Sequence, residues 1–90
     1  MSVYKGVGYT KLTVSTTPTG VGTIPTGADR AMLVVETAAV RWRDDGTNPS
    51  ATDGVPLTAG DGMNFDGDLT ALKFIRSGAS DATIHISFYR

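Results

Sequence analysis

No cysteine occurs in this chain, histidine and tryptophan occur once each, and a single glutamate stands beside eight aspartates. The missing thiols exclude a disulfide-stapled scaffold, thiolate metal sites and cysteine nucleophiles together. With one imidazole, a zinc site would have to be completed by carboxylates alone, a poor match to the usual ligand set. Excess charge is missing as well: 8 Lys and Arg against 9 Asp and Glu give a net charge of −1. That balance provides no field to gather nucleic acid or anionic lipid, and little repulsion to hold copies apart. Long apolar runs are also lacking. The first two dozen residues are interrupted by Gly6, Gly8, Gly20 and Gly22, so they read neither as a signal peptide nor as a membrane span, and folding in the cytoplasm of the producing cell is expected.

What is present in quantity is turn chemistry. Asp45-Gly46, Asp53-Gly54, Asp61-Gly62, Asp66-Gly67 and Ser77-Gly78 punctuate the second half. A residue that hydrogen-bonds its own backbone followed by one that tolerates positive φ is what tight hairpins require. Between the turns, Ala82 to Tyr89 alternates Ile84, Ile86 and Phe88 against His85, Ser87 and Tyr89, which predicts a strand with one buried face. Ala71 to Arg76 sets Leu72 and Phe74 against Ala71, Lys73 and Ile75, a strand with a partly covered second face. Val40 and Trp42 alternate with Arg41 and Arg43, while Val55 to Thr58 and Met63 to Phe65 give shorter strands, the first placed at an edge or strand start by Pro56. Ala31 to Val35 is apolar throughout and predicts a central strand buried on both faces, within the domain or against another subunit. A helix over Asp29 to Val40, capped by Asp29, competes with it, but Val34, Val35, Thr37 and Val40 favour strand. Tyr9 to Ser15 predicts one further strand, followed by an extended crossing segment through Gly27. With 90 residues and no linker, one domain over 1–90 is expected, with 1–8 a flexible or extended N-terminal arm. The predicted fold is all-β: a small antiparallel β-sandwich, jelly-roll-like, of about seven or eight short strands.

Candidate chemistry is thin. His85 lies mid-strand with no G-x-S-x-G nucleophile motif, and reads as a solvent-facing or interface imidazole. Asn64, Asp66 and Asp68 alternate as oxygen ligands to a hard cation would, yet Leu69 stands where a calcium loop needs glycine and no glutamate closes the shell. Gly6-Val7-Gly8 and Gly20-Val21-Gly22 lack the helix that a phosphate loop requires. Neither a catalytic residue nor a cofactor or metal site is therefore assigned; a metal-assisted hydrolase dependent on Asp66 is a third reading, and a paired-carboxylate glycosidase, for which ninety residues offer little cleft, ranks last. Arg41-Trp42-Arg43-Asp44-Asp45-Gly46 is the most informative cluster. Its arginines either face water and the nearby aspartates, or pair bidentately with carboxylates of another subunit.

From Ile24 to Ile75 the chain resembles small structural proteins encoded among the head and tail genes of tailed bacteriophages. The likeness rests on V-E-T-A-x-V-R-W-R-D-D-G-T-x-P over Val35 to Pro49, P-L-x-A-G-D over Pro56 to Asp61 and G-D-L-x-A-x-x-F-I over Gly67 to Ile75. The resemblance implies a β-sandwich or jelly-roll piece of the virion, used as decoration, cement or adaptor, with no enzymatic residue to transfer. It leads to the expectation of a homo-oligomer, a trimer in the first instance, that binds capsid or other virion proteins and neither nucleic acid nor membrane. Expected contact residues are Val3, Tyr4 and Val7 of the arm together with Arg41, Arg43 and Tyr89. The alternative is a carbohydrate-binding module, or a fibre or tail adaptor, using Tyr4, Tyr9 or Tyr89 as a sugar platform beside aspartate acceptors.

Overall fold

The computed structural model describes residues 4–90, which form eight strands and no helix. These are β1 (Gly6–Val14), β2 (Thr19–Gly20), β3 (Arg30–Glu36), β4 (Val40–Arg43), β5 (Val55–Leu57), β6 (Gly62–Phe65), β7 (Lys73–Arg76) and β8 (Ala82–Tyr89). They lie in two four-stranded antiparallel sheets, β1-β8-β3-β6 and β2-β7-β4-β5. The order has a simple origin. If the chain is drawn as one long hairpin whose tip lies between β4 and β5, the partners across it are β4 with β5, β3 with β6, β2 with β7 and β1 with β8. All four pairings are present, and wrapping the hairpin sends alternate pairs to opposite sheets, stitched by β3 against β8 and β4 against β7. This is the eight-stranded jelly roll that the sequence led us to expect.

Strand alternation fills the space between the sheets. Leu33, Val35, Ile84, Ile86, Phe88 and Val14 come from the first sheet, Val40 and Phe74 from the second, and all are essentially inaccessible to water. Each such side chain contributes about 1.5–3 kcal/mol relative to an exposed position. Trp42 shares the inward side of β4 with Val40 and meets Phe65 edge-on, with centroids 5.9 Å apart and planes at 82°. β5, which carries Pro56, is an edge strand, where its missing N–H costs no ladder bond.

The structure refines three expectations. Within the domain the apolar run Ala31 to Val35 is buried on one face only: Ala31, Leu33 and Val35 point into the core, whereas Met32 and Val34 are 42% and 36% exposed. Among the described residues no element covers that side of the sheet, and apolar composition alone does not reveal which side is open. Of the flexible or extended arm expected over 1–8, Gly6 to Gly8 is extended but belongs to β1, which pairs along β8 with a bulge between Gly6 and Gly8. Lys5 joins it through reciprocal backbone bonds of 3.0 Å with Arg90. Val7 accordingly packs against the molecule's own core; Val3 lies outside the described residues. Finally, only two of the Asp-Gly pairs use glycine at positive φ, at Gly46 (87°) and Gly54 (141°). In the β5–β6 turn that role falls to Gly60 (φ 93°), so Gly62 is free to begin β6.

The alternation in β3 makes a direct prediction. Leu33→Ala will lower stability in denaturant melts by about 2–5 kcal/mol, whereas Met32→Ser, one residue away and facing outward, will cost less than about 1 kcal/mol in dilute solution. Equal losses at the two positions would contradict this register.

Candidate functional site

Because β8 lies between β1 and β3, the residues that alternate outward from all three strands share one face. Across it run Tyr9, Ser87, Met32 and Asn64 in one row, then Lys11, His85 and Val34, then Thr13, Thr83 and Glu36. Among the described residues, four of the five large apolar side chains with substantial exposure, Tyr4, Tyr9, Met32 and Val34, belong to this side of the molecule. The fifth, Val55, lies on the opposite sheet. An apolar cluster left open on one sheet of a small domain marks a contact surface more strongly than the same residues scattered singly.

The face is braced by hydrogen bonds that cross three strands. The Tyr9 hydroxyl lies 2.7 Å from His85 Nδ1, and His85 Nε2 lies 2.9 Å from Glu36 Oε1. In the neutral ring the phenol donates to Nδ1 and Nε2–H donates to Glu36, which fixes the tautomer. The Tyr9 ring also stacks on the imidazole, with centroids 6.2 Å apart at 21°. The bond from His85, the charge of His85 and more weakly Lys11 hold the Glu36 carboxyl below its ordinary range. Phenol, imidazole and carboxylate stand in the order of a nucleophile, base and orienting group. They lie on an open sheet face, with Tyr9 64% exposed, where the bonds lock the orientation of the rings.

At one end of the face is a cleft of about 340 Å³ lined by Tyr4, Arg30, Ala31, Met32, Asn64, Phe65, Asp66 and Tyr89. Arg30 sits 3.9 Å from the centre of the Tyr4 ring and pairs with Asp29 at 3.2 Å. Tyr4 and Tyr89, both expected at a contact surface, therefore meet here, while Tyr9 is committed to His85.

Arg41 and Arg43 lie on the other sheet and are engaged with their own chain. Arg41 donates to the carbonyls of Ala51 (3.1 Å) and Gly54 (2.8 Å), and Arg43 donates to Asp45 (3.0 Å) and Asp53 (3.2 Å). Together they hold the long loop 44–54 at the tip of the wrapped hairpin, in which Ser50 and Asp53 form a further bridge. The acidic stretch is likewise used for turns: Asp61 accepts from the Thr58 amide (2.8 Å) and hydroxyl (2.9 Å), and Asp68 from the Thr70 hydroxyl (2.5 Å) and amide (2.9 Å). These bonds lower the pKa of both carboxyls. Among the described residues no group of three or more His, Asp or Glu side chains is placed to hold a metal ion. Met32 and Val34, the centre of the exposed cluster, were missed by sequence reasoning. The signal that could have found them is the period of 2 in β8, which forces the same alternation on its partner β3.

No family model, curated protein or solved structure matches the chain, so its function has to be read from these surfaces.

The Arg43 pair carries a pH signature. Its hydrogen bonds lower the Asp45 carboxyl from 3.8 to about 2. A depressed folded pKa contributes stability that is present above 3.8 and lost as pH falls toward about 2. In carboxyl NMR titrations Asp45 will titrate near the lower value, and Arg43→Gln will return it toward the ordinary one. An unchanged midpoint in that variant would show that the pair does not form in solution.

Proposed function

We propose that the chain is a non-enzymatic structural protein of a tailed-phage virion, a capsid decoration or cement subunit that assembles through the outer face of β1-β8-β3-β6. The observation that carries this reading is the exposure of Tyr9, Met32 and Val34 side by side on a sheet braced by the Tyr9–His85–Glu36 bonds. Covering such residues stabilises an assembly by about 25 cal/mol per Å² of apolar area removed from water. A pre-ordered face also loses little side-chain entropy on docking. The net charge of −1 leaves copies little reason to repel one another. By fold-level analogy, jelly rolls serve repeatedly as capsid domains, and the string from Val35 to Ile75 resembles phage head and tail proteins.

In this reading the oligomer is a trimer, assembled in the host cytoplasm and carried on the virion, with the capsid as its second partner. A three-fold ring needs two different patches on each copy; the outer face provides one, and the exposed Val55 on the opposite sheet provides an apolar point for the other. Tyr4 and Tyr89 border the buried area, whereas Arg41 and Arg43 act by holding the loop 44–54.

Light scattering at about tens of micromolar will give three times the protomer mass, and Val34→Asp will reduce it to one while leaving the circular dichroism unchanged. A wild-type chain that stays monomeric would remove self-association. Its absence from particles purified from the host, judged by peptide mass spectrometry, would remove the virion role.

A further inference from the structure

The cleft beside Tyr4 shares Met32 with the association face but adds polar groups, Asn64, Asp66 and Tyr89, that the apolar contact does not use. Part of its lining is apolar, from Ala31, Phe65 and Met32, the first two buried. Its rim carries the Asn64 amide, the Asp66 carboxylate and the Tyr89 hydroxyl, and among the described residues none of the fold's side-chain hydrogen bonds uses these groups. Together they offer donors and acceptors of both kinds. Tyr4 forms an aromatic wall, 55% exposed and steadied by the Arg30 guanidinium against its ring.

Charge decides the class of ligand. Arg30 is paired with Asp29, and Asp66 adds a carboxylate of its own, so among the described residues the cleft has no free positive charge with which to hold an anion. A lone carboxylate is equally unsuited to a metal ion, which needs several hard ligands. A partly apolar lining, an aromatic wall and a rim of uncommitted neutral and acceptor groups suit a neutral ligand with one C–H face and an edge of hydroxyls. The volume of about 340 Å³ falls at the small end of ligand sites, which span about 300–1,000 Å³.

We propose that this cleft binds the end of a neutral glycan, one or two pyranose units, with the sugar's C–H face against Tyr4 and its hydroxyls on Asn64, Asp66 and Tyr89. Tyr9 takes no part, since its hydroxyl is bound to His85. The site rests on the cleft alone and stands or falls separately from the trimer.

The test is a glycan array probed with the intact chain, followed by amide NMR titration with maltotriose, chitotriose and inorganic phosphate. At least one neutral glycan will bind, with a dissociation constant of about millimolar, and will move the amides of Met32, Asn64, Asp66 and Tyr89. Tyr4→Ala and Asn64→Ala will each weaken it by about tenfold, or 1.4 kcal/mol, with unchanged melting temperatures, while Lys11→Ala and the association variant Val34→Asp will bind as the wild type does. Failure of every neutral glycan to bind, tighter binding of phosphate than of any glycan, or equal affinity in the Tyr4 and Asn64 variants would overturn the proposal.

Discussion

The pairing of β8 with both β1 and β3 is the constraint from which the rest of the molecule follows. It is the last strand of the chain, yet it occupies the interior of its sheet, and Ile84, Ile86 and Phe88 lie under its partners at the centre of the core. Strand period dictates the remainder. Once those three side chains face inward, His85, Ser87 and Tyr89 must face outward, and the flanking strands are forced into the same register. A slip of one residue would bury His85, Met32 and Glu36 and expose Leu33 and Ile84, so the outer face is fixed by the same interactions that make the core.

Much of this could be read from the residues. The alternation in Ala82 to Tyr89, the inward pairing of Val40 with Trp42 and the edge position of Pro56 all follow from elementary strand geometry. The limits were physical too. In Ala31 to Val35 every residue is apolar, so hydropathy has no contrast from which to infer a face; only the partner strand provides it. Asp-Gly pairs announce a turn without saying which glycine takes positive φ, and at the β5–β6 corner Gly60 takes it instead of Gly62. Arg43 pairs with Asp45 and Asp53, one of the two readings its cluster allowed, whereas the carbonyls of Ala51 and Gly54 that receive Arg41 carry no signature in sequence. Of the candidate site, Tyr4, Tyr89 and the outward His85 were legible, while the Met32–Val34 pair and the Glu36 contact depend on register across strands.

The two sheets thereby divide the work. On one, charged groups are turned inward upon the loop 44–54 and stiffen the tip of the wrapped hairpin. The other presents apolar and aromatic groups in ordered rows, bound together across β1, β8 and β3 by a phenol, an imidazole and a carboxylate. A domain of this size buries only about 60% of the surface its unfolded chain exposes, so under the proposed assembly, covering that open face would add stability as well as specificity.

Amide hydrogen exchange tests the central pairing most directly. With β8 enclosed between β1 and β3, the amides of Ile84, Ile86 and Phe88 will be among the slowest in the molecule, exchanging only through global unfolding, while those of the loop 44–54 exchange orders of magnitude faster. Exchange of the β8 amides at loop-like rates would contradict the wrapped hairpin and the outer face that depends on it.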